Sequence, residues 1–314
     1  MAESNKNFRI IKQNKLAWTP IVILVAGICC LLWGSAFPCI KIGYRLFKIA
    51  GGDTASQILF AGIRFALAGT MVILFFSIKN KRIILPSSPA KIATLSCFQT
   101  ILQYVPFYIG LAHTTGVKSS IINGSAVFVT ILVSCLVFGQ EKLTEKKILG
   151  SILGFFGIVI VNLVGSEMDL RFSFLGEGFI LISTLSSAFS SSFIKKFSKD
   201  ADVVMLSGYQ FLAGGLIMTF LGYITGGRLY SVSYNSWILL VYMGFISAAA
   251  YTLWSILLKY NPVSKISAYK FMNPIFGVLL SFLLLQEKSQ MGWQTLVALG
   301  LVCIGIYVVN NGDK

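Results

Sequence analysis

Ten apolar blocks, each about as long as a membrane crossing, divide this chain of 314 residues. A helix needs about 20 mostly apolar residues to cross the hydrocarbon of a bilayer. The composition agrees, because 56% of the residues are hydrophobic, only 12% are charged and the mean hydropathy is +0.80. The sequence therefore predicts a polytopic membrane protein with no separate soluble domain. The blocks span residues 20–42, 56–78, 92–112, 119–138, 148–164, 174–194, 203–225, 237–258, 263–285 and 293–309.

Basic residues set the expected orientation. The net charge of +15 would suit a nucleic-acid partner, but the lysines and arginines lie in short clusters between apolar blocks. Lys and Arg are retained on the cytoplasmic side of membranes, so this pattern indicates topology control and a lipid bilayer as the partner, with no nucleic acid. With both termini cytoplasmic, the outer connections hold the smaller share: Lys41, Arg45, Lys48, Lys118, Arg171, Arg228 and Lys288.

An internal repeat relates the two halves of the chain. The segment that begins GQEKLTEKK at residue 139 aligns with the one that begins LQEKSQMGW at residue 285, pairing Glu141 with Glu287 and Gly154 with Gly300. IRFALAG (63–69) aligns at the same offset with YQFLAGG (209–215). Residues 1–165 and 166–314 are thus predicted to be two copies of five spans each. Because five is odd, the copies must lie in opposite orientations, an arrangement typical of secondary transporters.

Several motifs resemble one transporter family. They are W-G-S at 33–35, R-F at 64–65, E-K-L-T from Glu141, N-P at 273–274 and Q-E-K around Glu287. On these, the chain resembles an EamA-type member of the drug/metabolite transporter superfamily over nearly its whole length. The resemblance implies an all-α fold of ten transmembrane helices in two inverted five-helix repeats. It also implies a central cavity formed mainly by helices one, three, four, six, eight and nine. Members carry amino acids, other metabolites or drugs, usually outward.

Polar and aromatic side chains inside the spans are the candidate substrate-binding residues. Polar groups in hydrocarbon must find partners or line water, so they mark faces turned to a cavity or to a neighbouring helix. Helix packing is the alternative for the amides, and core filling is the alternative for the aromatic rings. The candidates are Gln99, Gln103, Asn123, Trp33, Tyr251 and Trp254.

Lys270 is the sharpest candidate, with Asn273 on the same stretch of the ninth block. A lysine within a span costs roughly 2.5 to 3.5 kcal/mol on insertion scales and persists where it is solvated or paired. All the acidic residues lie in termini, connections or span ends, so the ammonium is free to bind an anionic group of a substrate. The alternative is snorkelling of the side chain toward the cytoplasmic surface beside Lys265.

Other intramembrane residues receive structural or hinge roles. Arg64, in the second block, is expected to cap carbonyls or hold a neighbouring helix, with a position facing the cavity as the alternative, and His113 is expected to cap the third block. Pro38 and Pro274 each remove a backbone donor inside a span and are candidate hinges, with a static kink as the alternative.

Other functional classes fit the sequence less well. An enzyme would need clustered His, Asp, Glu or Cys, but the chain has a single histidine and no acid within a span, so we expect no catalysis, no metal site and no cofactor. Within transport, anionic or zwitterionic metabolites such as amino acids fit better than cationic drugs, because no buried carboxylate is available. A multidrug exporter and a membrane receptor or structural protein are the alternatives.

The predicted setting is the cell membrane, namely a bacterial inner membrane. Proton coupling would use Lys270, His113 or the substrate itself, and facilitated diffusion is the other option. The sequence carries no signal for an oligomeric state.

Overall fold

The computed structural model describes residues 15–81, 85, 88–114, 116–163, 172–230, 233–285 and 293–311. Within these ranges the chain is helical and has no strand. The all-α fold predicted from the sequence is confirmed. Glu287, both predicted termini and the predicted repeat boundary at 165–166 lie outside the described residues.

Helical segments of the described residues form ten rods, α1 to α10, four of which change helix type along their length. The uninterrupted rods are α1 (Thr19–Leu46), α2 (Thr54–Lys79), α5 (Glu145–Leu163), α7 (Val203–Ile224), α8 (Tyr234–Tyr260) and α10 (Trp293–Asn310). The composite rods are α3 (Pro89–Ala112), α4 (Gly116–Gly124, Ala126–Leu132 and Val133–Val137), α6 (Phe174–Phe197) and α9 (Val263–Ala268, Tyr269–Phe271 and Met272–Leu285).

Six rods, α1, α2, α3, α6, α7 and α8, are long and apolar enough to cross a membrane. Shorter apolar stretches occur in α4 (Ile121–Val137) and α10 (Val297–Asn310). The predicted count of ten crossings is therefore met in part by the described residues, and for the other four rods it stays a prediction.

Side-chain caps begin several of the helices. The first N–H groups of a helix have no partner within it, so a polar side chain just ahead of the first turn stabilises the start. Asp53 accepts from the N–H of Ser56 at the start of α2, and Asp202 accepts from two N–H groups of α7. Ser88 and Ser233 cap α3 and α8 in the same way. These caps place each span boundary where the apolar run begins.

Equivalent helices of the two repeats make equivalent packing contacts. If α1–α5 correspond to α6–α10, the contacts of α1 with α8 and α9 are matched by those of α6 with α3 and α4. The remaining equivalents, α2 with α7 and α5 with α10, pack directly on each other.

Glycines in α2 and α7 show that the repeats are inverted. A Cβ added at Gly69 would lie 2.3 Å from the backbone nitrogen of Leu212, and one added at Gly215 would lie 2.3 Å from that of Ala66. The repeat offset that pairs Gly69 with Gly215 also pairs Ala66 with Leu212, so the two contacts are equivalent. Gly62, nearer the start of α2, meets Thr219, nearer the end of α7, so the equivalent helices run antiparallel. Glycine permits this close backbone approach because it has no side chain.

Two rods are interrupted beside their prolines. Residues Tyr269–Phe271 of α9 form a 3₁₀ turn that ends three residues before Pro274, whose ring nitrogen leaves the Lys270 carbonyl without its i+4 donor. Ser96–Ile101 of α3 form a π turn ahead of Pro106. By contrast, α1 continues through Pro38, which is buried. The hinge roles of Pro38 and Pro274 stay predictions.

Candidate functional site

An aromatic wall lies between α1, α3 and α8, formed by Trp33, Tyr104, Tyr251 and Trp254. The Trp33 ring centroid lies 5.0 Å from that of Tyr251 and 4.9 Å from that of Trp254, both in edge-to-face arrangements. Tyr251 and Trp254 are three residues apart on α8, so they share one face of the helix. The Tyr104 hydroxyl of α3 is hydrogen-bonded to the Tyr251 hydroxyl. These contacts join three helices that the sequence spreads over more than 200 residues.

Lys270 sits at one end of the aromatic wall. Its ammonium nitrogen lies 5.7 Å from the Trp254 ring and donates to the Ser187 hydroxyl of α6 at 3.4 Å. This places the charge among α6, α8 and α9, inside the bundle. Within the described ranges, no acidic side chain forms a salt bridge with Lys270. The side chain is half-buried, and its charge is held by a ring face and a hydroxyl, which are weak partners for an ammonium inside a helix bundle.

Several polar atoms near this end have no hydrogen-bond partner. They include the indole nitrogens of Trp33 and Trp254 and the amide oxygen of Asn273, one helical turn after Lys270. Buried polar groups are nearly always paired in proteins, so each exception calls for an explanation. A ligand with hydrogen-bonding groups would supply the missing partners.

Gln103 ties the wall to α6. Its backbone carbonyl accepts from the Ser183 hydroxyl of α6, and its side chain lies close to the Tyr251 hydroxyl of the wall. Ser186 of α6 donates in turn to the Phe98 carbonyl of α3 at 2.6 Å. These two serines of α6 thus serve helix packing, which is one of the two expectations for polar groups inside a span.

The other predicted site residues make no hydrogen bond to this cluster within the described ranges. Gln99 is buried in the π turn of α3, and its amide oxygen has no hydrogen-bond partner. Asn123 is exposed on α4 and makes no hydrogen bond within the described part of the chain. The structure therefore joins Trp33, Tyr251, Trp254 and Lys270 by direct contacts, with Gln103 close to Tyr251 and Asn273 one turn after Lys270.

Arg64 is the residue whose surroundings the sequence did not anticipate. It is only 4% exposed, with its guanidinium carbon 4.4 Å from the Phe65 ring and 5.8 Å from the Tyr104 ring. Sequence reasoning favoured a structural role because it lies on the second helix. One feature of the sequence could have indicated a functional role. Arg64 is, beside Lys270, a second cation within a span, and all the acidic residues lie in termini, connections or span ends.

Glu141 joins three elements at one end of the bundle. Its carboxylate accepts from the backbone N–H of Ser264 at 3.1 Å and pairs with the Lys147 ammonium at 3.0 Å, a lysine with no exposed surface. The adjacent Gln140 donates to the Ser192 carbonyl of α6 at 2.9 Å. The connection between α4 and α5 is thereby fastened to the start of α9.

Glu177 makes a corresponding junction at the start of α6. Its carboxylate accepts from the Thr114 hydroxyl at 2.5 Å and from the Ser173 N–H at 2.6 Å. It also pairs with Lys118 of α4 at 3.2 Å. Acidic side chains thus occupy the ends of the helices rather than the central cluster, as the sequence predicted for all the described acids.

Other candidate sites among the described residues offer fewer polar or charged groups. Among the described residues, no three His, Cys, Asp or Glu side chains converge as metal ligands would. An open groove of about 350 Å³ lies between α1 and α8, away from the wall. It is lined by Ile42, Leu46, Asn235, Ile238, Leu239 and Tyr242, and brings no charged group.

Comparison with known proteins finds one transporter family. The model of the EamA-like transporter family matches residues 20–163 and again 174–311. The chain is 27% identical to an uncharacterized transporter of Archaeoglobus fulgidus, over 91% of this chain and 97% of that protein. It is 24% identical to the uncharacterized inner membrane transporter YedA of Escherichia coli K12, over 90% and 88% of the two chains.

More distant matches agree. A WAT1-related chloroplastic protein of Arabidopsis thaliana is 26% identical over 98% of this chain and 73% of its own. One solved crystal structure superposes with a TM-score of 0.74 at 15% identity, covering 91% of this chain and 95% of that one. At this identity the match shows a shared fold.

Proposed function

Because this chain belongs to the EamA-like transporter family, we propose that it is a secondary transporter that exports a small anionic or zwitterionic metabolite, such as an amino acid. The substrate binds at the cluster of Lys270, Trp33, Tyr251 and Trp254. The two inverted repeats move against each other around this cluster, so that it faces each side of the membrane in turn.

One observation carries the proposal. The Lys270 ammonium is inside the bundle, between the Trp254 ring and the Ser187 hydroxyl, and forms no salt bridge with any described residue. A buried charge is costly unless it is paired and hydrogen-bonded. A carboxylate of the substrate would provide both, and the free indole N–H groups of Trp33 and Trp254 would add two donors.

The aromatic wall suits the rest of such a substrate. Ring faces offer apolar surface with little loss of side-chain entropy, and an amino acid has an apolar or aromatic part beside its charged groups. The same faces attract an α-ammonium, because the face of an aromatic ring is electronegative. A zwitterion can thus place its carboxylate at Lys270 and its remaining atoms against Trp33 and Tyr251.

Two other functions are supported less well. A multidrug or cationic-compound exporter would have to bind positive charge beside Lys270, where like charges repel. A membrane receptor or structural protein would not need a cation without a salt bridge among α6, α8 and α9, inside the bundle. The relatives from Archaeoglobus fulgidus and Escherichia coli are both named transporters, which also favours transport over those roles and over catalysis.

The proposed setting is the cell membrane, with both termini in the cytoplasm. Under this topology the Glu141 junction lies at the cytoplasmic end and the Glu177 junction at the outer end. The basic residues of the connections and the inner-membrane name of the YedA relative support this setting. Coupling to protons and facilitated diffusion are both compatible with the cluster, and an imposed pH gradient in liposomes separates them.

A counterflow screen in proteoliposomes tests the function. Vesicles are loaded in turn with amino acids, organic acids, nucleosides or cationic dyes, and uptake of the labelled compound is measured with and without the protein. We expect saturable exchange of at least one carboxylate-bearing compound. Exchange of cationic dyes alone would contradict the proposed substrate class, and no exchange of any compound would contradict transport.

Substitutions of Lys270 test the site. Lys270→Gln is expected to reduce exchange at least tenfold at every pH, and Lys270→Arg to retain part of it because the charge persists. Lys259→Gln is the matched control, since the Lys259 ammonium also faces a ring, that of Tyr260 at 5.6 Å, but at the end of α8. Unaltered exchange by Lys270→Gln would remove the anchor assignment.

A further inference from the structure

Arg64 is a second cation inside the bundle, and it is more deeply buried than Lys270. Its side chain is 4% exposed, and no described acidic residue forms a salt bridge with it. Its Nε–H has no hydrogen-bond partner. The contacts of the guanidinium are ring faces, those of its neighbour Phe65 and of Tyr104. An arginine that held a helix in place would donate to carbonyls of that helix, and none of the hydrogen bonds of the described residues involves Arg64 in this way.

Arg64 contacts the aromatic wall at Tyr104, on the side away from Lys270. Arg64 faces Tyr104, whose hydroxyl is bonded to Tyr251, and the Tyr251 ring packs on Trp33. In the hydroxyl pair only one hydrogen is used in the mutual bond, so the second is available to a ligand. Arg64 therefore lies at the opposite end of the wall from Lys270.

The order of contacts along α1 shows how the two ends of the aromatic wall are placed along the bundle. Near the Lys270 end, the Cys30 thiol donates to the Tyr269 carbonyl at 3.2 Å. Trp33 then meets Trp254, and Tyr44, whose hydroxyl lies close to Tyr108 and Arg64, follows at the other end. Tyr44 lies 11 residues beyond Trp33 in the same helix, which corresponds to about 16 Å along the axis. The Arg64 end is thus nearer to the connection between α1 and α2.

We propose that Arg64 forms a second anion-binding position on the transport route, which receives the carboxylate of the same substrate after it leaves Lys270. The inference rests on the proposed function and extends it. A planar guanidinium binds a carboxylate through two parallel hydrogen bonds, and an adjacent tyrosine hydroxyl can donate a third. Two cations at the ends of one aromatic wall give an anionic solute successive stations, while a cationic solute would be repelled at both.

Binding stoichiometry of labelled benzoate, a planar carboxylate, tests the proposal on the purified full-length protein. Equilibrium dialysis with empty detergent micelles as the blank is expected to show two saturable sites per chain. Arg64→Gln is expected to retain one site and Lys270→Gln the other, while Arg64→Lys keeps both. Arg228→Gln is the matched control, because that guanidinium also stacks on a ring, that of Tyr223 at 4.8 Å, outside the wall.

The outcomes separate the two proposals. Wild-type stoichiometry in Arg64→Gln would overturn the second position and leave the Lys270 site standing. Wild-type stoichiometry in Lys270→Gln, with loss of a site in Arg64→Gln, would overturn the proposed anchor instead. Absence of saturable benzoate binding in the wild type would overturn both.

Modification of the wild-type protein removes dependence on the folding of variants. Phenylglyoxal reacts with arginine side chains, and its product at each position is quantified by mass spectrometry of peptides. We expect benzoate to slow modification of Arg64 at least threefold and to leave Arg228 unaffected. Equal rates with and without benzoate would overturn the proposal. So would a lack of reaction at Arg64, because an anion site must be reachable by a small solute.

Discussion

Glu141 caps the first turn of α9 through Ser264. One carboxylate oxygen accepts from the Ser264 backbone N–H at 3.1 Å, and the Ser264 hydroxyl donates to the other oxygen. A negative charge is favourable at a helix start, where the N–H groups are unpaired and the helix dipole is positive. The contact closes one end of the bundle by fastening the α4–α5 connection to the helix that carries Lys270. Any outward movement of α9 at this end must break it.

Glu141→Gln is expected to lower the free energy of unfolding by about 3 kcal/mol, because it removes the carboxylate that pairs with the fully buried Lys147 ammonium. Thermal unfolding in detergent is the measurement. Glu145→Gln, an exposed position at the start of α5, is the control and should change stability little. Lys147→Met combined with Glu141→Gln should recover part of the loss, and no recovery would argue against the buried pair as its cause.

Gly69→Ala and Gly215→Ala are expected to destabilise the protein by similar amounts, on the order of 1 to 3 kcal/mol each. Each new Cβ would lie 2.3 Å from a backbone nitrogen of the facing helix, and the two sites exchange under the repeat symmetry. Melting temperatures report the effect. Gly27→Ala, where nothing lies within 4 Å, is the matched control. A large difference between the two variants would be evidence against symmetric packing of α2 and α7.

Trp254→Phe is expected to raise the KM for the transported solute roughly 5- to 30-fold, equivalent to about 1 to 2 kcal/mol, with a smaller effect on the maximal rate. The variant keeps a ring beside Lys270 but loses the free indole N–H and weakens the attraction between ring and ammonium. Concentration-dependent exchange in proteoliposomes measures it. Trp237→Phe, on the same helix but packed on Phe47, should behave like the wild type.

Asp200→Asn is expected to cause a small, pH-dependent loss of stability. The hydrogen bond from the Lys91 ammonium, at 2.5 Å, lowers the pKa of Asp200 below its ordinary value of 3.8. A lowered pKa in the folded protein adds stability above the ordinary pKa, and this is lost as the pH falls through the folded value. The difference in melting temperature should therefore be present at pH 7 and shrink below about pH 4. High salt should also reduce it, because the pair is exposed; a difference that grows on acidification would contradict the assignment.

An epitope inserted between Gly51 and Gly52 is expected to be accessible from outside intact cells, while one appended at the C-terminus should be accessible only after permeabilisation. The first position lies in the connection between α1 and α2, which the distribution of basic residues assigns to the outer side. Antibody binding before and after permeabilisation measures both. Equal accessibility of the two tags in intact cells would contradict the predicted topology.

The repeat and the fold class followed from local properties of the chain. Hydropathy marks a span because each span meets the same hydrocarbon, whatever its neighbours. The offset that pairs Gly69 with Gly215 is visible in the letters, and opposite orientation follows from an odd number of spans. Such arguments need no knowledge of which helices touch, and the antiparallel contact of α2 with α7 agrees with them.

The composition of the cluster was decided by tertiary structure. The sequence marked both Gln99 and Gln103 as polar positions of α3, but in the structure Gln103 accepts from Ser183 and lies close to Tyr251, whereas Gln99 is buried in the π turn. A stripe of polar residues fixes a helix face only while the turn stays regular, and the π turn at Ser96–Ile101 shifts the faces on either side of it. Asn123 on α4 is exposed, because the face that a helix turns to its neighbours depends on packing.

What the amino-acid sequence determined by itself is therefore the all-α membrane fold, the inverted repeat and the presence of an intramembrane lysine that no acid in a span can neutralise. Only the tertiary structure decided that Lys270 and Arg64 lie at opposite ends of one aromatic wall. The physical reason is the distance along the chain over which each property is determined. Hydrophobicity and charge act on each segment separately, whereas the position of a side chain relative to a distant helix depends on the packing of all the helices between them.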